Sequence, residues 1–338
     1  MAHADRDFAT SSGWPTRVMI TGGAGFIGCH LARRLAGACD VVVVDNLSGD
    51  SVGEVPAGVE SHEVDIRDID ALRDLMRGCD AVVHLASSVL IKGGHLDTHQ
   101  DLRQNLTGTF SVLEAMRQTA TGHICFASSS TVYGAHDSPR ALDERTPLRP
   151  ISLYSAAKAA GEAYISAYSH LFGLSASVLR LGIVLGPGLR RGAAFDFVQR
   201  LRADPTRLTI LGGGQQMKPY LDIDDCIAGF VQLGLAPCRG VEIFNIASEG
   251  AISVTQVVKQ VLEVLGLDGI PVSGTSQDAG WPGDVPRLEL GVDRARAAGW
   301  SCRYSAEEAV RRYVQSLIAG DARSKPGIIR PSDYTIRG

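Results

Sequence analysis

The strongest constraint on this chain is the alternation in its first half of short β-branched runs with segments of helical period. "RVMITGG" (17–23) reads as a strand entering a glycine turn, and "FIGCHLARRLAG" (26–37) as a helix closed by Gly. "DVVVVDN" (40–46) is an unbroken apolar strand, as expected where both faces are covered. "DIDALRDLMRG" (68–78) is helical, "CDAVVHLAS" (79–87) a strand, "TGTFSVLEAMRQTA" (107–120) helical and "HICFASSS" (123–130) a strand. The long helix "SLYSAAKAAGEAYISAYSHLFG" (152–173) and the strand "SASVLRLGIVLG" (175–186) complete the series. Such alternation predicts an α/β fold, a doubly wound parallel sheet. After Gly186 the rhythm breaks into Gly- and Pro-rich pieces, with one more buried strand in "EIFNIAS" (242–248). The expected organisation is a leader over 1–16, a nucleotide-binding domain over 17–186 that 222–248 rejoins, a smaller α/β lobe over 187–319, and an irregular tail over 320–338.

Bulk properties narrow the function class. A net charge of −4 with mixed signs argues against a nucleic-acid surface. No apolar run is long enough to span a membrane, and the first residues lack a signal-peptide core. The 7 Cys are scattered, odd in number and without a C-x-x-C pair. A reduced, cytoplasmic chain without disulfide or metal is therefore expected.

"MITGGAGFIG" places Gly22, Gly25 and Gly28 directly after a strand and into a helix start. Glycines there allow a tight turn, and the N–H groups of Phe26, Ile27 and Gly28 can meet a pyrophosphate at the helix N-terminus. Asp45 follows Gly25 by 20 residues, at the end of the second strand, where a carboxylate bonds a ribose hydroxyl. It also repels a 2′-phosphate, and "NLSG" after it has no Arg, so NAD is favoured over NADP. Asp65 ends a third strand and is placed to reach the adenine. The sheet is thus of the Rossmann type.

Two further stretches lie at strand ends, where doubly wound folds hold ligands: "FASSSTVYG" (126–134) and "LYSAAK" (153–158). A free Tyr has a pKa near 10, too high for a base at neutral pH. Lys158 lies one turn after Tyr154 on the same helix face, and its charge favours tyrosinate. Ser129 or Ser130 could hold the substrate oxygen. Such a site can take a proton from a carbinol while hydride leaves to NAD.

With these motifs the chain resembles the extended short-chain dehydrogenases/reductases of the nucleotide-sugar epimerase/dehydratase family, and is most similar to UDP-glucose 4-epimerase-like members. The matching stretches include "TGGAGFIG", "VVDNLSG", "VDIRD", "VVHLAS", "QNLTGT", "SSSTVYG", "LYSAAKAAGE", "LGGGQQMKPYLDIDDCIAGF" and "GWPGDVPRLELGVDRARAAGW". The resemblance implies that Tyr154 is the catalytic base, with Lys158 tuning it and binding the nicotinamide ribose. Ser129 would bond the reacting sugar oxygen, with Ser130 and Thr131 beside it. Asn46, Ile66, Leu85, Ala86 and Asn105 would join the cofactor site. Asn105, Lys218 and Asp284 would contact a UDP-linked sugar, and Leu288 would gate a 2-N-acetyl group. Apolar stripes over 101–119 and 152–172 would form a homodimer interface.

The implied reaction is C4 epimerisation of UDP-glucose, UDP-galactose or an N-acetyl or uronate analogue. A ketoreductase, dehydrogenase or UDP-glucuronate decarboxylase remains an alternative. Sugar 4,6-dehydratases usually carry Thr-Asp-Glu where this chain has Ser129-Ser130-Thr131, which disfavours elimination. The chain departs from the family pattern at Ile183 (usually Asn), Trp281 (often Arg) and Lys218 (usually Arg). Arg190 and Arg191, beside "GPG", are candidates for replacement phosphate contacts. His84 reads as a packed strand-end residue, and His95, Asp97 and His99 as a loop rather than a metal site.

Overall fold

The computed structural model describes residues 13–49, 53–88, 97–136, 140–275 and 283–321. The expectations for residues 1–12, His95, Trp281 and the tail past 321 lie outside the described residues. In chain order the first half runs β1 (Arg17–Thr21), α1 (Phe26–Leu35), β2 (Asp40–Asp45), β3 (Glu60–Glu63), α2 (Ile69–Met76), β4 (Ala81–His84), α3 (Thr98–Asp101), α4 (Gly108–Thr119), β5 (His123–Ser129), α5 (Leu153–Phe172) and β6 (Ser175–Leu181). The second half adds β7 (Ile183–Leu185), α6 (Ala193–Ala203), β8 (Leu208–Ile210), β9 (Met217–Lys218), β10 (Tyr220–Asp222), α7 (Ile223–Gly229), β11 (Val241–Ile246), β12 (Ile252–Ser253), α8 (Val254–Leu265), β13 (Val272–Gly274), α9 (Asp293–Ala297) and α10 (Ala306–Asp321).

Seven strands form one sheet in the order β11-β6-β5-β4-β1-β2-β3, and every neighbouring pair is parallel. The order reverses between β1 and β4, where doubly wound sheets open a ligand crevice. Successive side chains of each strand point to opposite faces. Met19, Val42 and Val82 pack under Leu72, Met76, Val112 and Ile165 on one face. Val18, Ile20, Val43 and Val83 pack with Leu31, Leu35, Cys226 and Phe230 on the other. That two-sided burial is why β2 reads as a continuous apolar run.

Two elements differ from the sequence reading. The single strand expected over 175–186 is broken at Gly182. Its N–H makes the last bond to the main sheet, on the Ile246 carbonyl, and Ile183 N–H turns away to the Pro219 carbonyl at 2.8 Å. A Cβ on Gly182 would stand 2.6 Å from that carbonyl oxygen, so only Gly allows the switch of partner. β7 then pairs with β10. Helical structure also begins before α4, where α3 runs into a π-turn over Leu102–Thr107.

Candidate active site

At the β1–α1 turn, Gly22 adopts φ +70° and its N–H bonds the Val44 carbonyl of β2 at 2.8 Å. A Cβ there would lie 2.6 Å from the Ala86 nitrogen, and one on Gly28 would lie 2.3 Å from the Gly22 oxygen. No side chain caps α1, whose N-cap is Gly25. The first-turn N–H groups of Phe26, Ile27 and Gly28 are thus left for an anion, which fits a pyrophosphate. Asp45 accepts from Ala24 N–H at 3.1 Å and Leu47 N–H at 2.8 Å. Asn46 donates to Asp65 at 3.4 Å. Arg67 forks onto Asp65, holding that carboxyl down at about 2. Ile66 is buried, and a Cβ on Gly108 would strike it. Leu85 N–H bonds the Thr21 carbonyl at 3.0 Å, which brings the Leu85–Ala86 segment over the glycine turn.

The second half of the site comes from β5 and α5. Ser129 ends β5 and caps a 3-10 turn over Ser130–Tyr133. Its Oγ accepts from Thr131 N–H at 3.2 Å and lies 2.9 Å from the Thr131 hydroxyl. α5 starts at a capping box formed by Ser152 and Ser155. Tyr154 therefore sits in a first turn fixed at both ends of the box. Lys158 follows one turn later and donates Nζ–H to the Ala127 carbonyl of β5 at 2.8 Å. Its ammonium lies 4.9 Å over the Phe126 ring and 6.0 Å from the Tyr154 ring centre.

Burial pushes the Tyr154 phenol above its ordinary value; the Ser129 hydroxyl, the Arg191 cation and the Ser87 hydroxyl pull it back, while Asp101 pushes it up. Burial also pulls the Lys158 ammonium down to about 8, against the opposing charge of Glu162. Both side chains of the pair are thus buried beside the end of β5.

The remaining candidates fall into three groups. Asn105, in the π-turn, has its amide bonded to Asp101, Ser87 and Ser88. Lys218 and Asp284 bind each other at 2.5 Å, and Lys218 also donates to the Val285 carbonyl. Leu288 is buried in the core cluster, with its N–H on the Met217 carbonyl. Arg190 and Arg191 are exposed on the loop between β7 and α6.

The sequence reads His84 as a packed strand-end residue, and it is one; its partners, and the roles of Glu162 and Arg180, are not read there. His84 is buried, and burial with the nearby Lys158 charge lowers it to about 3. Thr109 donates to the Asn105 carbonyl at 2.6 Å and so accepts from His84 Nε2–H at 3.1 Å. His84 Nδ1 is then the acceptor for the Thr21 hydroxyl at 2.7 Å. This chain ties β1 and β4 to the π-turn. Glu162, four residues past Lys158, takes a bidentate fork from Arg180 on β6 and a bond from Ser128 at 2.5 Å. The signal for Glu162 was its spacing in "YSAAKAAGE"; nothing local marked Arg180.

A seven-stranded doubly wound sheet with a glycine turn at its switch point, a Ser at the end of β5 and a Tyr and Lys in the first turns of α5 is the frame of a nicotinamide-nucleotide enzyme. Residues 18–247 match the NAD dependent epimerase/dehydratase family, and the chain belongs to that NAD-dependent family. It is 34% identical to a solved UDP-galactose 4-epimerase, with a TM-score of 0.79 over 90% of this chain and 99% of the other. To UDP-glucose 4-epimerase from Thermus thermophilus, solved in complex with NAD, it is 31% identical, with a TM-score of 0.80 over 89% and 99%. The dTDP-glucose 4,6-dehydratase of Streptomyces griseus is 31% identical over 75% of this chain and 80% of its own.

Proposed function

We propose that the protein is an NAD-dependent 4-epimerase of a nucleoside-diphosphate hexose, acting through a 4-keto sugar. The observation that carries this reading is the convergence of Ser129, Tyr154 and Lys158 on one strand end, with Ser130 and Thr131 where dehydratases place an acid pair. Tyr154 takes the proton of the C4 hydroxyl, and Ser129 holds that oxygen in line. Lys158 lowers the cost of the tyrosinate. NAD held at the glycine turn would supply the hydride-accepting and hydride-donating chemistry, with no net redox change. The sugar offers its other face in the pocket, and Tyr154 gives the proton back. The lobe built on β7–β10 and the 283–290 segment supplies the walls for the nucleotide, with the Lys218–Asp284 pair at its edge.

The active unit is a homodimer in this reading, formed through α4 and α5. Phe110, Tyr164, Leu171 and Phe172 are large, apolar and exposed there.

Incubation of the protein with UDP-glucose, UDP-N-acetylglucosamine and UDP-glucuronate, without added cofactor, should give a C4 epimer from at least one, followed by NMR. Tyr154→Phe should cost roughly 10²–10⁴ in rate. Absence of an epimer from all three, or carbon dioxide release instead, would refute the reading.

A further inference from the structure

We propose that Arg180 is a positioning residue, whose guanidinium clamps the helix carrying Tyr154 and Lys158 to the turn that Ser129 caps. The inference rests on the roles proposed above for Tyr154 and Ser129.

Tyr154, Lys158 and Glu162 are spaced four residues apart, so they share one face of α5. All three are buried. Lys158 donates to the Ala127 carbonyl at 2.8 Å, and Glu162 accepts from the Ser128 hydroxyl. These contacts seat α5 on the two residues of β5 that precede Ser129. The clamp itself stands on β6. In the parallel register, Ser128 of β5, Arg180 of β6 and Asn245 of β11 form one row across three strands. Arg180 sends Nε–H and one Nη2–H to the two oxygens of Glu162, at 3.1 and 2.7 Å. Its Nη1 donates to the Tyr133 hydroxyl at 2.9 Å and to the Glu144 carbonyl at 3.2 Å. Tyr133 is the last residue of the 3-10 turn that Ser129 caps. One planar group therefore holds α5 on one edge and the serine turn on the other.

The surrounding bonds leave Tyr133 no second arrangement. Asn245 gives its amide N–H groups to the Leu142 and Gly291 carbonyls, at 2.9 and 3.0 Å. Its oxygen therefore faces Tyr133, whose hydroxyl donates to it at 2.7 Å and must accept from Arg180. Arg180, Glu162, Tyr133 and Asn245 are all buried. A buried ion pair adds little stability over apolar residues packed in the same space. A forked guanidinium, however, admits one geometry, which a point-like ammonium does not enforce.

The test compares Tyr133→Phe, Arg180→Lys and the double variant, each as the full-length protein saturated with NAD. Both single changes keep every charge near Tyr154 and Lys158, and Tyr133→Phe leaves the Arg180–Glu162 pair in place. Each should lower kcat for the nucleotide sugar by roughly ten- to hundredfold with KM nearly unchanged, since a displaced base slows chemistry rather than binding. The double variant should be no slower than Arg180→Lys, because both changes open the same link. Hydrogen exchange should also speed up in the first two turns of α5 in Tyr133→Phe, although that substitution lies on the serine turn. A merely structural Tyr133 would lower the melting temperature and leave these three readouts as in wild type. An unchanged kcat, losses that multiply in the double variant, or α5 amides that exchange as in wild type would each overturn the proposal. A wild-type protein that epimerises no nucleotide sugar would refute the substrate reading alone, and hydrogen exchange would still decide the clamp.

Discussion

Gly22 meets two demands at once, a left-handed φ of +70° and contact with the backbone of Ala86. A Cβ in that conformation costs about 1–2 kcal/mol before any clash. At 2.6 Å from the Ala86 nitrogen it must also push the Leu85–Ala86 segment off the turn. Gly22→Ala should therefore lower the melting temperature and weaken NAD binding together, seen by thermal unfolding and calorimetric titration. An unchanged NAD affinity would argue against the close approach. This glycine was legible in "TGGAGFIG", since strand, glycines and helix stand in order. His84 was legible as a packed strand-end residue, but its hydrogen-bond partners were not, because one His in an apolar strand gives no sign of them. Burial holds it at about 3, below its ordinary 6.5. Between those values the unfolded chain binds a proton that the folded chain refuses. The contribution is nil above about 6.5, and stability falls as pH drops through the window, by up to ~1.4 kcal/mol per unit. His84→Asn should flatten the acid branch of a denaturant-stability curve while lowering the whole curve. A branch as steep as that of wild type would mean that other groups carry the acid response.

At the scale of elements, the proposed base and its lysine both lie in the first two turns of α5. Tyr154 is the second residue of the helix, so its position depends on the Ser152–Ser155 capping box. Ser152→Ala should cost about 1 kcal/mol of stability. If Tyr154 is the base as proposed, the substitution should lower kcat more than it raises KM, because the loosened turn then carries the base rather than the binding contacts. An equal effect on both would point to a displaced lobe instead. The existence of α5, and its pairing with the end of β5, could be read from apolar spacing and from two Ser-rich ends. The π-turn at Leu102–Thr107 could not. Its extra residue per turn arises where Thr109 takes the Asn105 carbonyl with its side chain, a contact with no periodic signature. The break at Gly182 was hidden for a related reason. "LGIVLG" (181–186) is apolar throughout, and only the approach of the Pro219 carbonyl explains the change of sheet.

For the whole molecule, the parallel sheet follows from local alternation, whereas the lobe is assembled from distant pairs. β9 pairs with β12, and Met217 with Arg287, across long stretches of intervening chain. The Lys218–Asp284 ion pair joins two residues that the sequence reading gave separately to the nucleotide. The outer face of α4 and α5 presents a different problem. Tyr164, Leu171 and Phe172 fall on one helical stripe of α5, spaced seven and eight residues from the first. Phe110 of α4 meets Tyr164 edge-on at 6.4 Å, so the two helices present one apolar surface. Leu171 is 67% exposed in the single chain, and replacing it changes almost no packing within the protomer. Leu171→Glu should therefore leave the melting of the isolated chain nearly unchanged. In a dimer the same carboxylate would be buried against a second apolar stripe, a cost of several kcal/mol without a partner. Sedimentation velocity should show the wild type at the mass of two chains and the variant at the mass of one. A variant that still sediments with the wild type would move the interface off this face, and a wild type at the mass of one chain would remove the dimer itself.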